Sequence, residues 1–155
     1  MSLQIHPRPL GDPDLDTLIE AAVAELNVRY RTPGEPDVEY PLAPEAVCHV
    51  AYLDGAPAGC IARVDVDEPG WDATVEMKRV FVRPQARGRG AARALVARFE
   101  AEARAAGARR VRLETGTLQP EAMALYEALG YERLAENFGP WADSPLSVCY
   151  AKSLP

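Results

Sequence analysis

The sequence predicts one α/β (α+β) domain built on a mixed, mostly antiparallel sheet of six or seven strands with about four helices. Three short apolar runs follow one another between residues 46 and 82, and Asp54-Gly55 lies between the first two. Asp-Gly in this position is typical of a β-hairpin. Two segments with helical periodicity then alternate with further apolar runs. A chain of 155 residues is long enough to bury one hydrophobic core but short for two separate cores. We therefore expect a single domain over residues 1–155.

The N-terminal third predicts a strand, a helix and a loop. Leu3 and Ile5 predict a short first strand that ends at Pro7. From residue 14 to residue 26 apolar side chains recur at helical spacing, with Asp12 or Asp14 as the cap. Residues 29–45 are rich in proline and predict a long loop with room for one helical turn.

The remaining elements follow the same kind of evidence. The apolar runs 46–53, 57–66 and 73–82 predict an antiparallel meander of three strands. Helices are then predicted over residues 91–106 and 119–129, because each carries apolar residues at helical spacing and ends at a glycine. Further strands are predicted over 111–115, from Tyr131 onward and over 147–151.

Composition narrows the classes of function. A net charge of -6 argues against general nucleic-acid binding. Cys48, Cys60 and Cys149 are far apart in apolar stretches and are expected to be buried thiols. His6 and His49 are isolated, so no metal site is predicted. Since no segment resembles a signal peptide or a membrane span, we expect a cytoplasmic protein with no membrane contact.

The stretch Gln85-Ala86-Arg87-Gly88-Arg89-Gly90 joins an apolar run to the helix predicted from residue 91. Unpaired backbone N–H groups converge at such a helix N-terminus, and the helix dipole favours negative charge there. The glycines let a ligand approach the backbone, and the arginines add donors suited to phosphate. The sequence therefore predicts a site for a phosphorylated ligand.

Three segments in fixed order carry a family resemblance: Lys78–Pro84, Gln85–Ala91 and Ala124–Tyr131. The first two look like an acyl-CoA motif of the form Q/R-x-x-G-x-G/A with its preceding strand. With the order of the predicted elements, the chain resembles the GCN5-related N-acetyltransferase (GNAT) superfamily. The resemblance implies the acyl-CoA N-acyltransferase fold with a sheet splayed at its centre. It also implies transfer of an acetyl group from acetyl-CoA to a primary amine of a small molecule or peptide, by direct attack in a ternary complex.

The resemblance also implies which residues bind acyl-CoA. The strand's main chain would pair with the pantetheine arm, and the backbone after Gln85 would cradle the pyrophosphate. A change in the phase of alternation near Lys78 or Arg79 fits the bulge that the family carries there. Relatives often have Asn where this chain has Gln119. The implied acyl-CoA residues are Val80, Phe81, Val82, Gln85, Arg87, Gly88, Arg89, Gly90, Ala91, Ala92, Arg93, Gln119 and Tyr126.

Catalytic roles follow from the same resemblance. Tyr126 matches the family tyrosine that donates a proton to the thiolate or hydrogen-bonds it, although an aromatic residue on a core face would look the same. Glu76 is the first candidate base, and a solvated strand carboxylate is its alternative. Glu114 is a second candidate base. The oxyanion would be held by a backbone N–H near Val80.

Two other classes of function stay open at this stage. One is a catalytically silent acyl-CoA-binding sensor or regulatory domain, because a fold does not imply activity. The other is a dinucleotide-binding oxidoreductase, which Gly88-x-Gly90-x-x-Arg93 disfavours because its third position is not small.

The sequence does not identify the amine that would accept the acetyl group. The acidic residues of the proline-rich loop would suit a cationic amine, or they are simply solvated. A homodimer is left open. The acidic residues are Glu35, Asp37, Glu39 and Glu45.

Overall fold

The computed structural model describes residues 1–30 and 41–155, and that part of the chain contains seven strands and three α-helices. The strands are β1 (Leu3–Arg8), β2 (Val47–Leu53), β3 (Ala56–Asp65), β4 (Thr74–Val82), β5 (Arg110–Gly116), β6 (Glu132–Arg133) and β7 (Ser147–Ser153). The helices are α1 (Pro13–Tyr30), α2 (Ala91–Ala105) and α3 (Pro120–Ala128), with short 3₁₀ turns at Pro84–Ala86 and Gly139–Trp141. The predicted α/β class is confirmed, with one α-helix fewer in the described residues than expected.

The sheet is mixed, as predicted. Its strand order is β1-β2-β3-β4-β5-β7-β6. β1–β2, β2–β3, β5–β7 and β6–β7 pair antiparallel, whereas β4 and β5 are parallel. A parallel pair needs a crossover connection, and α2 lies in the crossover between β4 and β5. The two strands pair from Thr74↔Arg110 to Met77↔Leu113, so the ladder covers only the first half of β4.

The turn and strand signals in the sequence explain where most of the strands begin and end. Asp54 and Gly55 have φ values of 49° and 83°, the backbone that a two-residue hairpin of type I′ requires. The strand predicted from Tyr131 is much shorter than an ordinary strand, because only Glu132 and Arg133 pair with β7. The predicted loop over 29–45 falls largely in residues 31–40, which lie outside the described residues, as do Glu35, Asp37 and Glu39.

The described chain divides into two compact units. The first comprises Met1–Val64 and Arg79–Phe99, and the second comprises Asp65–Lys78 and Glu100–Pro155. The prediction of a single domain over residues 1–155 therefore stays a prediction. None of the helices in residues 1–30 and 41–155 is both long and apolar enough to cross a membrane.

In the first unit, α1 packs on one face of the strands. Its buried residues Leu15, Leu18 and Ala22 form a cluster with Cys48, Val50, Cys60, Ala62 and Phe81. In the second unit, buried tyrosines and a carboxylate tie the helices to the strands. The Tyr131 hydroxyl donates to Glu100 Oε2 at 2.8 Å, and Lys152 Nζ lies 3.1 Å from Glu100 Oε1. The expectation for the cysteines is confirmed, since all three are free and buried.

Gly59 marks a close approach inside the first unit. A Cβ at this position would lie 2.6 Å from the Phe81 carbonyl oxygen and 3.3 Å from Leu95 Cδ1. We expect Gly59→Ala to lower the free energy of unfolding by about 1–3 kcal/mol, because a backbone oxygen must move to admit the methyl group. Urea denaturation followed by circular dichroism measures this change. An unchanged urea midpoint would contradict this prediction, because it would show that β3 and β4 move apart at that point with no loss of stability.

Candidate active site

The stretch Gln85–Gly90, which we call the glycine turn, lies between β4 and α2 in the first unit. The 3₁₀ turn closes with the Ala86 N–H donating to Arg83 O at 2.9 Å. Gly88 and Gly90 then have φ values of 80° and 83°, in the left-handed region that other residues rarely adopt. This is why two glycines stand at these positions. The backbone then enters α2, whose first bond runs from the Ala94 N–H to Gly90 O at 3.0 Å.

The start of α2 has the properties of an anion site. The backbone N–H groups of Ala91, Ala92 and Arg93 lie in the first turn of the helix, where no earlier helical carbonyl is placed to accept their hydrogen bonds. The first turn of α2 has no acidic residue, so nothing there opposes the positive end of the helix dipole. Among the described residues, no heavy atom lies within 4 Å of the position that a Cβ would take at Gly88 or Gly90. A ligand can therefore reach this backbone.

The side chains of the turn differ in their surroundings. Arg87 Nε donates to Val82 O at 2.9 Å, and Arg87 Nη2 lies 2.7 Å from Glu25 Oε2. Gln85 and Arg89 are exposed and line a cleft of about 400 Å³ together with Arg83. Arg93, on the first turn of α2, is also exposed. All three predicted phosphate arginines are exposed, and Arg87 differs in being anchored to the protein at two points although its side chain is 40% exposed.

β4 changes its backbone at Arg79. The φ of Arg79 is 56°, unusual for a residue with a long side chain. This backbone is compatible with the bulge expected near Lys78 or Arg79, which stays a prediction. The Cys60 thiol donates to Arg79 O at 3.3 Å. Since the C=O and N–H of one planar peptide point in opposite directions, the N–H of Val80 points away from Cys60.

Glu76, on β4, lies in a buried ion pair of the second unit. It is 6% exposed, so it is not a solvated strand carboxylate. Arg112 Nε donates to Glu76 Oε1 at 2.8 Å, and Lys78 Nζ lies 3.1 Å from Oε2. Both carboxylate oxygens of Glu76 are therefore engaged by cations.

Arg112, the partner of Glu76, is held by two carboxylates and two aromatic rings. It lies opposite Glu76 in the ladder between β4 and β5. Its Nη2 also pairs with Glu68. The guanidinium carbon lies 4.0 Å from the ring centroid of Phe138 and 4.9 Å from that of Trp71. Two carboxylates and two aromatic rings thus fix the guanidinium that binds Glu76.

Glu114, the second candidate base, has a different environment. It is half-buried on β5. Its pKa is raised to about 7, chiefly by burial and to a lesser extent by the negative charge of Glu76, while a hydrogen bond with Ser147 and the charge of Lys78 act in the opposite direction. A carboxyl group that titrates near neutral pH is suited to general base catalysis.

Tyr126 is buried on α3, with 7% of its surface exposed. Burial raises the pKa of its hydroxyl above the ordinary value of 10, and the negative charge of Glu114 raises it further. Its ring lies 5.9 Å from that of Tyr131 and 6.2 Å from that of Tyr150. The phenol is therefore protonated at neutral pH and can donate a hydrogen bond. Gln119 takes the N-cap position of the same helix.

Sequence patterns did not identify three residues around these groups: Arg112 beside Glu76, Ser147 beside Glu114, and Glu25 beside Arg87. Arg112 and Ser147 depend on strand register, which places Arg112 opposite Glu76 and Ser147 opposite Gly116. A basic residue on an apolar strand was the available signal for Arg112. Glu25 depends on how α1 is turned, for which the sequence gives no signal.

Comparison with known proteins shows the family. The model of the acetyltransferase (GNAT) family matches residues 15–131. An IAA acetyltransferase of Azospirillum brasilense is 39% identical over 124 residues, which is 80% of this chain and 73% of that protein. Human N-acetyltransferase 8 is 33% identical over 90 residues, which is 57% of this chain and 40% of that protein. The chain belongs to the GNAT acetyltransferase family, and the predicted resemblance is confirmed.

Solved structures confirm the fold. A Klebsiella pneumoniae protein described as an acyl-CoA N-acyltransferase is 30% identical with a TM-score of 0.80, covering 99% of this chain and 98% of that one. The PaiA N-acetyltransferase of Thermoplasma acidophilum, solved with coenzyme A, has a TM-score of 0.72 at 15% identity and covers 99% of both chains. The second likeness shows the fold alone. The predicted acyl-CoA N-acyltransferase fold is therefore confirmed.

Proposed function

We propose that this chain is an N-acetyltransferase that moves the acetyl group of acetyl-CoA to a primary amine of a small molecule or peptide, by direct attack in a ternary complex. The observation that carries the proposal is that the second unit of a GNAT family chain holds Glu114, a half-buried carboxyl group with a pKa of about 7, near enough to the buried Tyr126 for its charge to raise the pKa of that hydroxyl. Together they supply a base and a hydrogen-bond donor, the two groups that acetyl transfer to an amine needs.

Acetyl-CoA binding rests on the glycine turn. The open backbone at Gly88 and Gly90 and the N–H groups of α2 support a pyrophosphate site. The exposed side chains of Arg89 and Arg93 can add charge-assisted bonds. The coenzyme A in the PaiA structure supports the choice of donor. The main chain of Val80–Val82, the Gln85 and Gln119 amides and the Arg87 side chain stay predicted contacts.

We assign the base to Glu114. An amine is protonated in water and attacks only as the free base, so a group must accept its proton. Glu114 is half-buried and titrates near pH 7, whereas both oxygens of Glu76 already bind Arg112 and Lys78. Glu76 then acts through its charge, because it contributes to the raised pKa of Glu114.

The remaining steps use the backbone and Tyr126. After Glu114 takes the proton, the amine nitrogen attacks the thioester carbon and forms the C–N bond. The Val80 N–H stabilises the negative charge on the carbonyl oxygen. The C–S bond then breaks as the carbonyl re-forms, the nitrogen loses its extra proton to the departing thiolate or to water, and the Tyr126 hydroxyl donates a hydrogen bond to the thiolate.

Turnover with amines tests the proposal against a silent acyl-CoA sensor. The purified chain is incubated with acetyl-CoA and a panel of small amines, amino acids and peptides, and thiol release is measured. Release above the hydrolysis background, with acetylated product seen by mass spectrometry, is expected. Tight CoA binding with no turnover across the panel would favour the sensor.

Gly90→Asp tests the donor site. We expect it to weaken CoA binding at least about tenfold, because a side chain and a negative charge enter a site built for pyrophosphate. Calorimetry measures the affinity. Gly70→Asp is the matched control, since Gly70 also has a positive φ, of 84°, and open surroundings. Equal affinity in a folded Gly90→Asp variant would contradict the assignment.

Tyr126→Phe tests the hydrogen bond to the thiolate. The variant keeps the ring and removes the hydroxyl, so kcat should fall about 10-fold to 1000-fold with little change in acetyl-CoA affinity. Steady-state kinetics and calorimetry measure the two quantities. A wild-type kcat would show that the hydroxyl takes no part in the reaction and that Tyr126 only packs against the neighbouring tyrosines.

The pH profile separates the two carboxylates. In the wild type, kcat/KM should fall as the pH drops below about 7, because protonated Glu114 cannot accept a proton. Glu114→Gln should lower kcat/KM about 100-fold or more and remove this acidic limb. Glu76→Gln should keep the limb. If instead only Glu76→Gln removes it, Glu76 is the base.

A further inference from the structure

Arg87, in the glycine turn, has a side chain that is anchored to the protein at two points. Its Nε donates to Val82 O at 2.9 Å, which joins the turn to the end of β4. Its Nη2 lies 2.7 Å from Oε2 of Glu25 on α1. The guanidinium carbon also lies 5.8 Å from the ring centroid of Phe81. The residue before Gly88 is thus tied to a strand and to a helix of the same unit.

Glu25 is itself held in place. Its Oε1 lies 3.4 Å from Arg29 Nη2, one helical turn further along α1. The two oxygens of Glu25 therefore face two different arginines, and the carboxylate bridges them. Its side chain is 30% exposed, so solvent weakens the pair without removing it. The bridge restrains the turn at Arg87, the residue just before its first left-handed position, Gly88.

Two roles for Arg87 make opposite predictions about Glu25. If Arg87 binds the pyrophosphate directly, Glu25 competes with the ligand for the guanidinium and adds a repelling negative charge. Removing that charge would then strengthen CoA binding. If Arg87 holds the turn, Glu25 presets the backbone donors before the ligand arrives, and its removal weakens binding because the ligand must then order the turn.

We propose that Glu25 is a positioning residue for acyl-CoA binding, which acts through Arg87 to hold the glycine turn in its binding conformation. The two anchors of Arg87 favour this role, since both are groups of the protein and together they fix the residue that precedes Gly88. The inference rests on the proposed function, in which the turn binds acetyl-CoA. It assigns to α1 a part in donor binding that none of its residues was expected to have.

Charge-neutral variants test the proposal. Glu25→Gln should weaken CoA binding about two- to fivefold by calorimetry, the range that a partly exposed ion pair supports. It should raise the KM for acetyl-CoA by a similar factor and leave kcat unchanged. Glu20→Gln is the matched control, because Glu20 is an exposed carboxylate on the same helix, and its affinity should equal that of the wild type. Unchanged or tighter binding in Glu25→Gln would overturn the proposal.

A double-mutant cycle separates positioning from a general loss of stability. Arg87→Gln alone should weaken binding at least as much as Glu25→Gln, and the double variant should be no weaker than Arg87→Gln. Additive losses would show that Glu25 acts independently of Arg87, which contradicts the proposal. Thermal unfolding of each variant without ligand checks that the fold is intact. If the wild type itself binds no CoA, the proposed function fails, which the first titration reveals separately.

Discussion

The left-handed backbone of β4 at Arg79 is the constraint that decides where the peptide between Arg79 and Val80 directs its carbonyl oxygen and its N–H. A left-handed conformation at a residue other than glycine costs on the order of 1 kcal/mol, and the φ of 56° is retained here with the Arg79 carbonyl bound to the Cys60 thiol. The division of the chain into two units falls at the same place, between Lys78 and Arg79. One strand therefore supplies Glu76 to one unit and the glycine turn to the other. The unusual peptide at the junction directs the Val80 N–H away from Cys60.

The two candidate carboxylates show how environment divides roles between identical groups. Glu76 is nearly inaccessible and is compensated by Arg112 and Lys78, so its charge is part of the structure. Glu114 is only partly compensated, and burial together with the charge of Glu76 raises its pKa to about 7. A carboxyl group whose pKa is raised to near neutral pH is typical of sites that move protons. The fixed charge of Glu76 thus helps to tune the group that titrates.

Local patterns in the sequence predicted most of the fold, because hairpin dipeptides, helical periodicity and terminal glycines act over a few residues. The glycine turn was predictable for the same reason, since six consecutive residues contain both glycines with positive φ and lead directly into a helix. The pairs Glu76–Arg112 and Glu25–Arg87 could not be predicted, since they join residues 36 and 62 positions apart through register and helix rotation. For the same reason the burial of Glu114, and hence its suitability as a base, became evident only in three dimensions.

The raised pKa of Tyr126 limits what it can do in the proposed reaction. A thiol has an ordinary pKa of about 8.5, and the Tyr126 hydroxyl lies above 10. Transfer of its proton to the thiolate would be unfavourable by about 2 kcal/mol or more, so the phenol stabilises the thiolate as a hydrogen-bond donor and keeps its proton. Glu114, once it has taken the proton of the amine, is the stronger acid, with a pKa of about 7. The same carboxyl group can therefore accept the proton at the start and release it to the thiolate or to water at the end.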